Sequence, residues 1–218
     1  MKTNLAFKHV AAGLAFAVVF FGWVMNAQAS TSPSSLIIKI YEMRVSMNPN
    51  CSDSHPVFAT DSPTAVDMFG NHDLGSGTIS TGTYHCVMFH ISDNVTFTPI
   101  DGSQEYCTAG KPYTDDILPA GVNSITPDGV PITGTGSHTP LTLSDDRPWI
   151  YLSDAPTAVT LNNTCFMSTK PCVMAPLVIV SDQPRALVMN ATLQLGYYDT
   201  DPPTCVLNPI DPALISIR

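Results

Sequence analysis

The side chains in this chain that could do chemistry are sulfur, imidazole and carboxylate groups, and their spacing limits what each can do. Met88 and His90 stand two residues apart, so in a strand they project from one face. A thioether beside an imidazole suits copper. His85 is an odd number of residues from His90 and would point to the other face of a regular strand, while His72, Met43 and Met47 lie elsewhere in the sequence. Methionine fills cores more often than it binds metal. Met88 and His90 are therefore the metal candidates of an alternative reading rather than the main one. Asp115-Asp116, Asp145-Asp146, Asp199 and Asp201 offer hard oxygens of the kind calcium takes, but no EF-hand loop organises them. In turn-rich contexts such pairs read as solvated strand ends.

The six cysteines, Cys51, Cys86, Cys107, Cys165, Cys172 and Cys205, read as disulfide partners. None stands at the C-x-x-C spacing of a zinc site. Three precede residue 110 and three follow it, so complete pairing requires at least one bond between the halves. Cys165 and Cys172 enclose a short loop and form the easiest local pair. The motifs G-x-S-x-G, H-E-x-x-H, the P-loop and G-x-G-x-x-G are all absent from the sequence. No catalytic residue is assigned, and no cofactor is expected, a metal being the one alternative. Asn94, Asn162 and Asn190 each begin an N-x-Thr triplet, which matters only where a host glycosylates.

The elements that must position these groups read as strands. Nineteen prolines and thirteen glycines punctuate the chain, and only 12 % of residues are charged, so no window makes a solvated helix face. Leu36 to Met47 alternates, with Ile37, Tyr41, Met43, Val45 and Met47 on one face and Glu42, Arg44 and Ser46 on the other. Gly82-Thr83-Tyr84 launches a long strand in which Val87, Phe89 and Ile91 share a face opposite Cys86, Met88 and His90. Asn94 to Thr98 continues that strand or begins the next. From Thr108 to Thr139 short strands joined by long loops are expected. Pro148 to Leu152, Ala158 to Leu161, Val173 to Val180, Ala186 to Tyr198 and Ile215 to Ile217 are further strand-like runs.

Residues 1–29 have the three parts of an export signal: Lys2 and Lys8, an uncharged apolar run from Val10 to Met25, and Ala27-Gln28-Ala29 before Ser30. The run is shorter than the ~20 residues that span a bilayer. Cleavage removes two of nine Lys/Arg and leaves seven against eighteen Asp/Glu, a net charge of −11. Such a surface repels nucleic acid and anionic lipid, and the short Lys-flanked start looks bacterial.

The unit from Val66 to Ser92, with its Leu74-Gly75-Ser76-Gly77 turn and Thr81-Gly82-Thr83-Tyr84 step, resembles an uncharacterised family of exported bacterial β-sandwich proteins, transthyretin-like or carbohydrate-binding-like. The strand Leu36 to Met47 is similar too. The resemblance implies a sandwich and carries no binding residues.

Together these readings predict an all-β, antiparallel β-sandwich with long loops, disulfide-stapled after a cleaved signal peptide. Residues 30–35 form a linker and 36–218 a single unit, with a smaller β extension from about residue 108. The expected function is a non-catalytic binding, adhesive or surface-structural role in the periplasm or outside the cell, with a protein or glycan partner, no nucleic acid and no membrane span after cleavage. The alternatives are a periplasmic copper or calcium protein and a small hydrolase without a recognisable motif.

Overall fold

A computed structural model describes residues 33–69, 77–102, 106–138, 141–155, 172–180, 189–191, 194–198, 203–208 and 215–217. Among the described residues all regular structure is β, and no helix is long and apolar enough to cross a membrane. Strand β1 (Pro33–Ser46) organises the fold. Its first half pairs antiparallel with β3 (Ala65–Asp67) and β6 (Asn94–Pro99), its second half with β2 (His55–Ala59) and β5 (Cys86–Ile91). One arm of this eight-stranded sheet runs on from β6 to β7 (Tyr113–Asp116). The other runs from β5 to β12 (Trp149–Ser153) and then, in parallel, to β13 (Cys172–Val173).

The remaining strands form antiparallel pairs: β4 (Gly82–Tyr84) with β14 (Leu177–Ile179), β8 (Asn123–Ile125) with β9 (Pro131–Thr133), and β10 (Ser137–His138) with β11 (Leu141–Thr142). Likewise β15 (Met189–Ala191) pairs with β18 (Ile215–Ile217) and β16 (Gln194–Tyr198) with β17 (Thr204–Asn208). The β8–β9 reversal carries Pro127-Asp128-Gly129, and Gly129 takes a φ of 82°, which a side chain would strain. One core joins both arms to the pairs. Leu36, Ile38, Val95 and Phe97 from the first arm meet Val87, Phe89, Ile91, Ile150 and Leu152 from the second, with Tyr84, Leu177, Leu195 and Leu207 packed in. The result is a sandwich-like all-β fold.

Strand β1 departs from the alternation expected of it. Leu36, Ile38 and Ile40 are buried along its first half, then Tyr41, Met43 and Val45 along its second, so the buried positions change from even to odd between Ile40 and Tyr41. The cause is a register shift between Ile40 and Glu42 in the pairing with β5. One extra residue in a ladder sends every later side chain to the opposite face. Ile37 and Met47, expected inside with Tyr41, are 37 % and 53 % exposed. The strand also starts at Pro33, so Pro33 and Ser35 of the expected linker are paired with β6.

A second correction concerns Gly82-Thr83-Tyr84. It does not run on into the long strand: β4 pairs with β14, and a bend at His85 separates it from β5. His85 N–H bonds Ser46 O at 2.9 Å at the bend. Asn94 begins a new strand, β6. Of the later runs, Ala158 to Leu161 lies outside the described residues.

Two disulfides are present among the described residues. Cys51–Cys86 ties the turn after β1 to the start of β5, and Cys107–Cys205, 98 residues apart in sequence, joins the two halves of the chain. The expected Cys165–Cys172 pair lies outside the described residues, since Cys165 is not described. Cys51 sits at φ 63°, a left-handed conformation that a non-glycine residue adopts at a cost.

Candidate functional site

Polar and ionisable groups gather in three places. The first is buried. The β6–β7 pairing sets Asn94 opposite Asp116, and the turn before β6 places Asp93 beside them. Asp93 and Asp116 are fully buried. Ser144 Oγ lies 2.6 Å from Asp93 Oδ2 and 3.1 Å from Asp116 Oδ2, and Asn94 Nδ2 donates to Ser144 O. Asp146 N–H donates to Asp93 Oδ2 at 3.1 Å, while Asp146 Oδ2 accepts from Thr135 N–H at 2.6 Å and from the Thr135 hydroxyl at 2.8 Å. Asp116 Oδ1 accepts from Leu118 N–H at 2.9 Å. A Cβ at Gly136 would collide with Asp116 Oδ2, so the glycine is what lets this strand of chain close over the carboxylate.

Burial, reinforced by the charges of Asp116 and Asp146 and opposed by the hydrogen bonds from Ser144 and Asp146 N–H, pushes the Asp93 carboxyl up to about 6. Burial also acts to raise Asp146, but the hydrogen bonds from Thr135 and Ser144 outweigh it and hold that carboxyl below its ordinary range. Asp93 Oδ1 and Asn94 Oδ1 are buried and meet no hydrogen-bond partner among the described residues.

Asp115 and Asp116 were expected as solvated strand ends and are instead completely buried. Asp115 faces inward beside Val95 and accepts from Leu207 N–H at 3.1 Å. Sequence reasoning named Asp116 and Asp146 but missed Asp93 and Ser144. Ser92-Asp93-Asn94 looks like any polar turn between alternating strands, and nothing in the chain marks Ser144, 51 residues away, as its partner.

The second place is the face of β5 that bears Met88 and His90. Met88 is wholly buried with Cys51, Cys86, Trp149 and Tyr151 in a small second core. His90 stacks on Trp149, ring centroids 4.8 Å apart and planes 1° apart, and lies 5.8 Å from the Tyr41 ring, over which the Arg147 guanidinium sits at 4.0 Å. Burial lowers the His90 pKa, as does the Arg147 charge, against a hydrogen bond to the Arg147 backbone. Met88 thus packs as a core residue and His90 as an aromatic neighbour. Among the described residues no group of three or more His, Cys, Asp or Glu is arranged to hold a metal.

The third is His85, whose Nδ1 lies 2.6 Å from Asp154 Oδ2. A His–Asp pair could support a nucleophile. The neighbouring hydroxyls are committed elsewhere: Ser153 donates to Pro49 O at 2.7 Å and Ser46 to Ser52 O.

One surface adds a fourth feature. On the outer side of the β1–β6–β7 arm, Ser35 Oγ bonds Thr98 Oγ1 at 3.0 Å and Thr96 Oγ1 meets Thr114 Oγ1 at 3.0 Å, with Ile37 opposite Thr96. These part-exposed hydroxyls form a stripe across three strands.

No family model matches this chain, and no curated protein or solved structure matches it. The reading of its role therefore rests on its own residues.

Proposed function

We propose that the chain is an exported bacterial protein, a disulfide-stapled β-sandwich unit that binds, adheres or builds surface structure without catalysing a reaction, in the periplasm or outside the cell. The observation that carries this reading is the Cys107–Cys205 bond, which with Cys51–Cys86 makes the scaffold depend on oxidation. Such bonds form and persist in oxidising compartments. The signal-like residues 1–29 supply the route there. The hydroxyl stripe of Ser35, Thr96, Thr98 and Thr114 with Ile37 is the contact surface we assign to it, because paired Ser/Thr hydroxyls on a β face can hydrogen-bond a glycan or peptide beside an apolar contact.

Expression of the full chain with a C-terminal tag in a bacterial host tests the first half of this reading. Loss of residues 1–29 by mass, recovery outside the cytoplasm and resistance of the cysteines to alkylation before reduction are the expected results. Retention in the cytoplasm with reactive thiols would sink the reading. For the contact surface, binding of the purified chain to intact cells or to a glycan array is compared with that of Thr96→Lys/Thr114→Lys. Equal binding by a folded variant would remove the stripe from the proposal.

A further inference from the structure

We propose that Asp93, Ser144 and Asp116 share one extra proton, and that this proton latches residues 135–136 and 144–146 onto the β5–β6 turn and β7 in a pH-dependent way. The argument begins with a proton count. Ser144 Oγ is within hydrogen-bond distance of both Asp93 Oδ2 and Asp116 Oδ2, yet a hydroxyl has one proton to donate. With both carboxylates ionised, one of the two contacts has no proton in it. Two fully buried negative charges would then face each other across a single hydroxyl.

A proton on Asp93 resolves this. Asp93 Oδ2–H donates to Ser144 Oγ, and Ser144 passes its own O–H to Asp116 Oδ2. Asp116 Oδ1 accepts from Leu118 N–H, and Asp93 Oδ2 still accepts from Asp146 N–H. The charged groups facing Asp93 are Asp116 from β7 and Asp146 from the covering chain, both negative. Arg147 is turned to the Tyr41 ring and to Asp145, 3.8 Å from its carboxylate. The elevated pKa of Asp93 agrees with the count.

The proton acts as a latch because the groups that share it sit on different pieces of chain. Asp93 N–H also donates to Asp146 O on the covering chain at 3.1 Å, and Gly136 is pressed against Asp116. Losing the proton leaves Asp93 and Asp116 both charged in one buried spot, with the Asp146 carboxylate near by. Ser144 and Asp146 lie on chain outside any strand, and the shared proton is one of the ties that hold it to the β5–β6 turn.

Amide hydrogen exchange of Thr135 and Asp146, read by NMR and corrected for intrinsic rates, tests the latch in the oxidised mature chain. Protection is expected to fall by about fiftyfold between pH 4 and pH 6.5 and to level off above, as a carboxyl displaced by roughly two units requires. Core amides of β5 should show no such local step. Asp93→Asn donates permanently to Ser144 and should abolish the dependence, and Asp116→Asn should reduce it to less than tenfold. An infrared band of a protonated carboxylic acid at pH 5, lost in folded Asp93→Asn and weakened in folded Asp116→Asn, reports the same proton independently. A flat profile in the wild type, or an unchanged one in Asp93→Asn, overturns the proposal. So does protection at pH 7 that rises with calcium chloride and falls with chelator, which would show a cation in the place of the proton.

Discussion

Leu207 donates its backbone N–H to Asp115 Oδ2 at 3.1 Å inside the main core, and both residues are almost fully buried. The bond fastens β17 to β7, two residues along from Cys205, whose disulfide reaches Cys107 just before β7. Covalent and polar ties thus converge on one junction between the early and late parts of the chain. A charge-assisted bond to backbone that is withdrawn from water is worth about 1.5–3 kcal/mol. Asp115→Ala is expected to lower unfolding stability by roughly that amount, measured by urea titration of the oxidised protein. A loss below ~0.5 kcal/mol would show that the junction is held without this carboxylate.

The two disulfides should differ in weight. In the chain-entropy account the 98-residue separation of Cys107–Cys205 restricts the unfolded chain by about 4.7 kcal/mol and the 35-residue separation of Cys51–Cys86 by about 3.8 kcal/mol. Paired Cys→Ser variants should rank in that order in thermal denaturation. The reverse ranking would mean that packing of Met88, Trp149 and Tyr151 around Cys51–Cys86 outweighs loop closure.

The bulge in β1 gives neighbouring apolar residues unequal value. Met43→Ala removes a side chain only 2 % exposed and should cost about 2–5 kcal/mol. Ile37→Thr, on the outer face, should stay within ~0.5 kcal/mol. If the two variants melt together, the phase change at Ile40 to Tyr41 is misplaced.

Acid dependence should combine two opposed slopes. Asp93 has a raised folded pKa, so the folded state binds more protons and stability falls as pH rises from about 4 to about 6, by up to roughly 3 kcal/mol. His90 has a lowered folded pKa, so the unfolded state binds more protons and stability falls as pH drops below its ordinary value of 6.5. Wild-type stability should therefore vary less across pH 5 to 6.5 than that of either variant. Asp93→Asn should lose stability on acidification, and His90→Gln should gain it. Parallel profiles for all three proteins, followed by denaturant midpoint against pH, would refute the assignment.

Much of the fold was legible in the sequence because a β-strand writes a two-residue period into its side chains. Val87, Phe89 and Ile91 face the core as the alternation implies, and the runs at Trp149 and Leu177 are strands. The bulge at Ile40 was not legible, since a one-residue slip depends on how a partner strand pairs and leaves no mark in composition. The candidate site was half legible for the same reason. Asp116 and Asp146 stood out as members of acidic pairs, but their burial and their meeting with Asp93 through Ser144 arise from contacts between residues far apart in the chain.

The amino-acid sequence by itself determined that the chain is all-β, that its chemistry lacks the common catalytic motifs, and that cysteines cross-link a scaffold of low charge. Local periodicity, turn residues and cysteine parity are properties of the unfolded chain as much as the folded one. Only the tertiary structure decided which cysteines pair, that Met88 is core, that Asp115 and Asp116 leave water, and that one hydroxyl stands between two carboxylates. Burial and proton sharing depend on what the rest of the fold places around a residue, and long-range pairing alone supplies that.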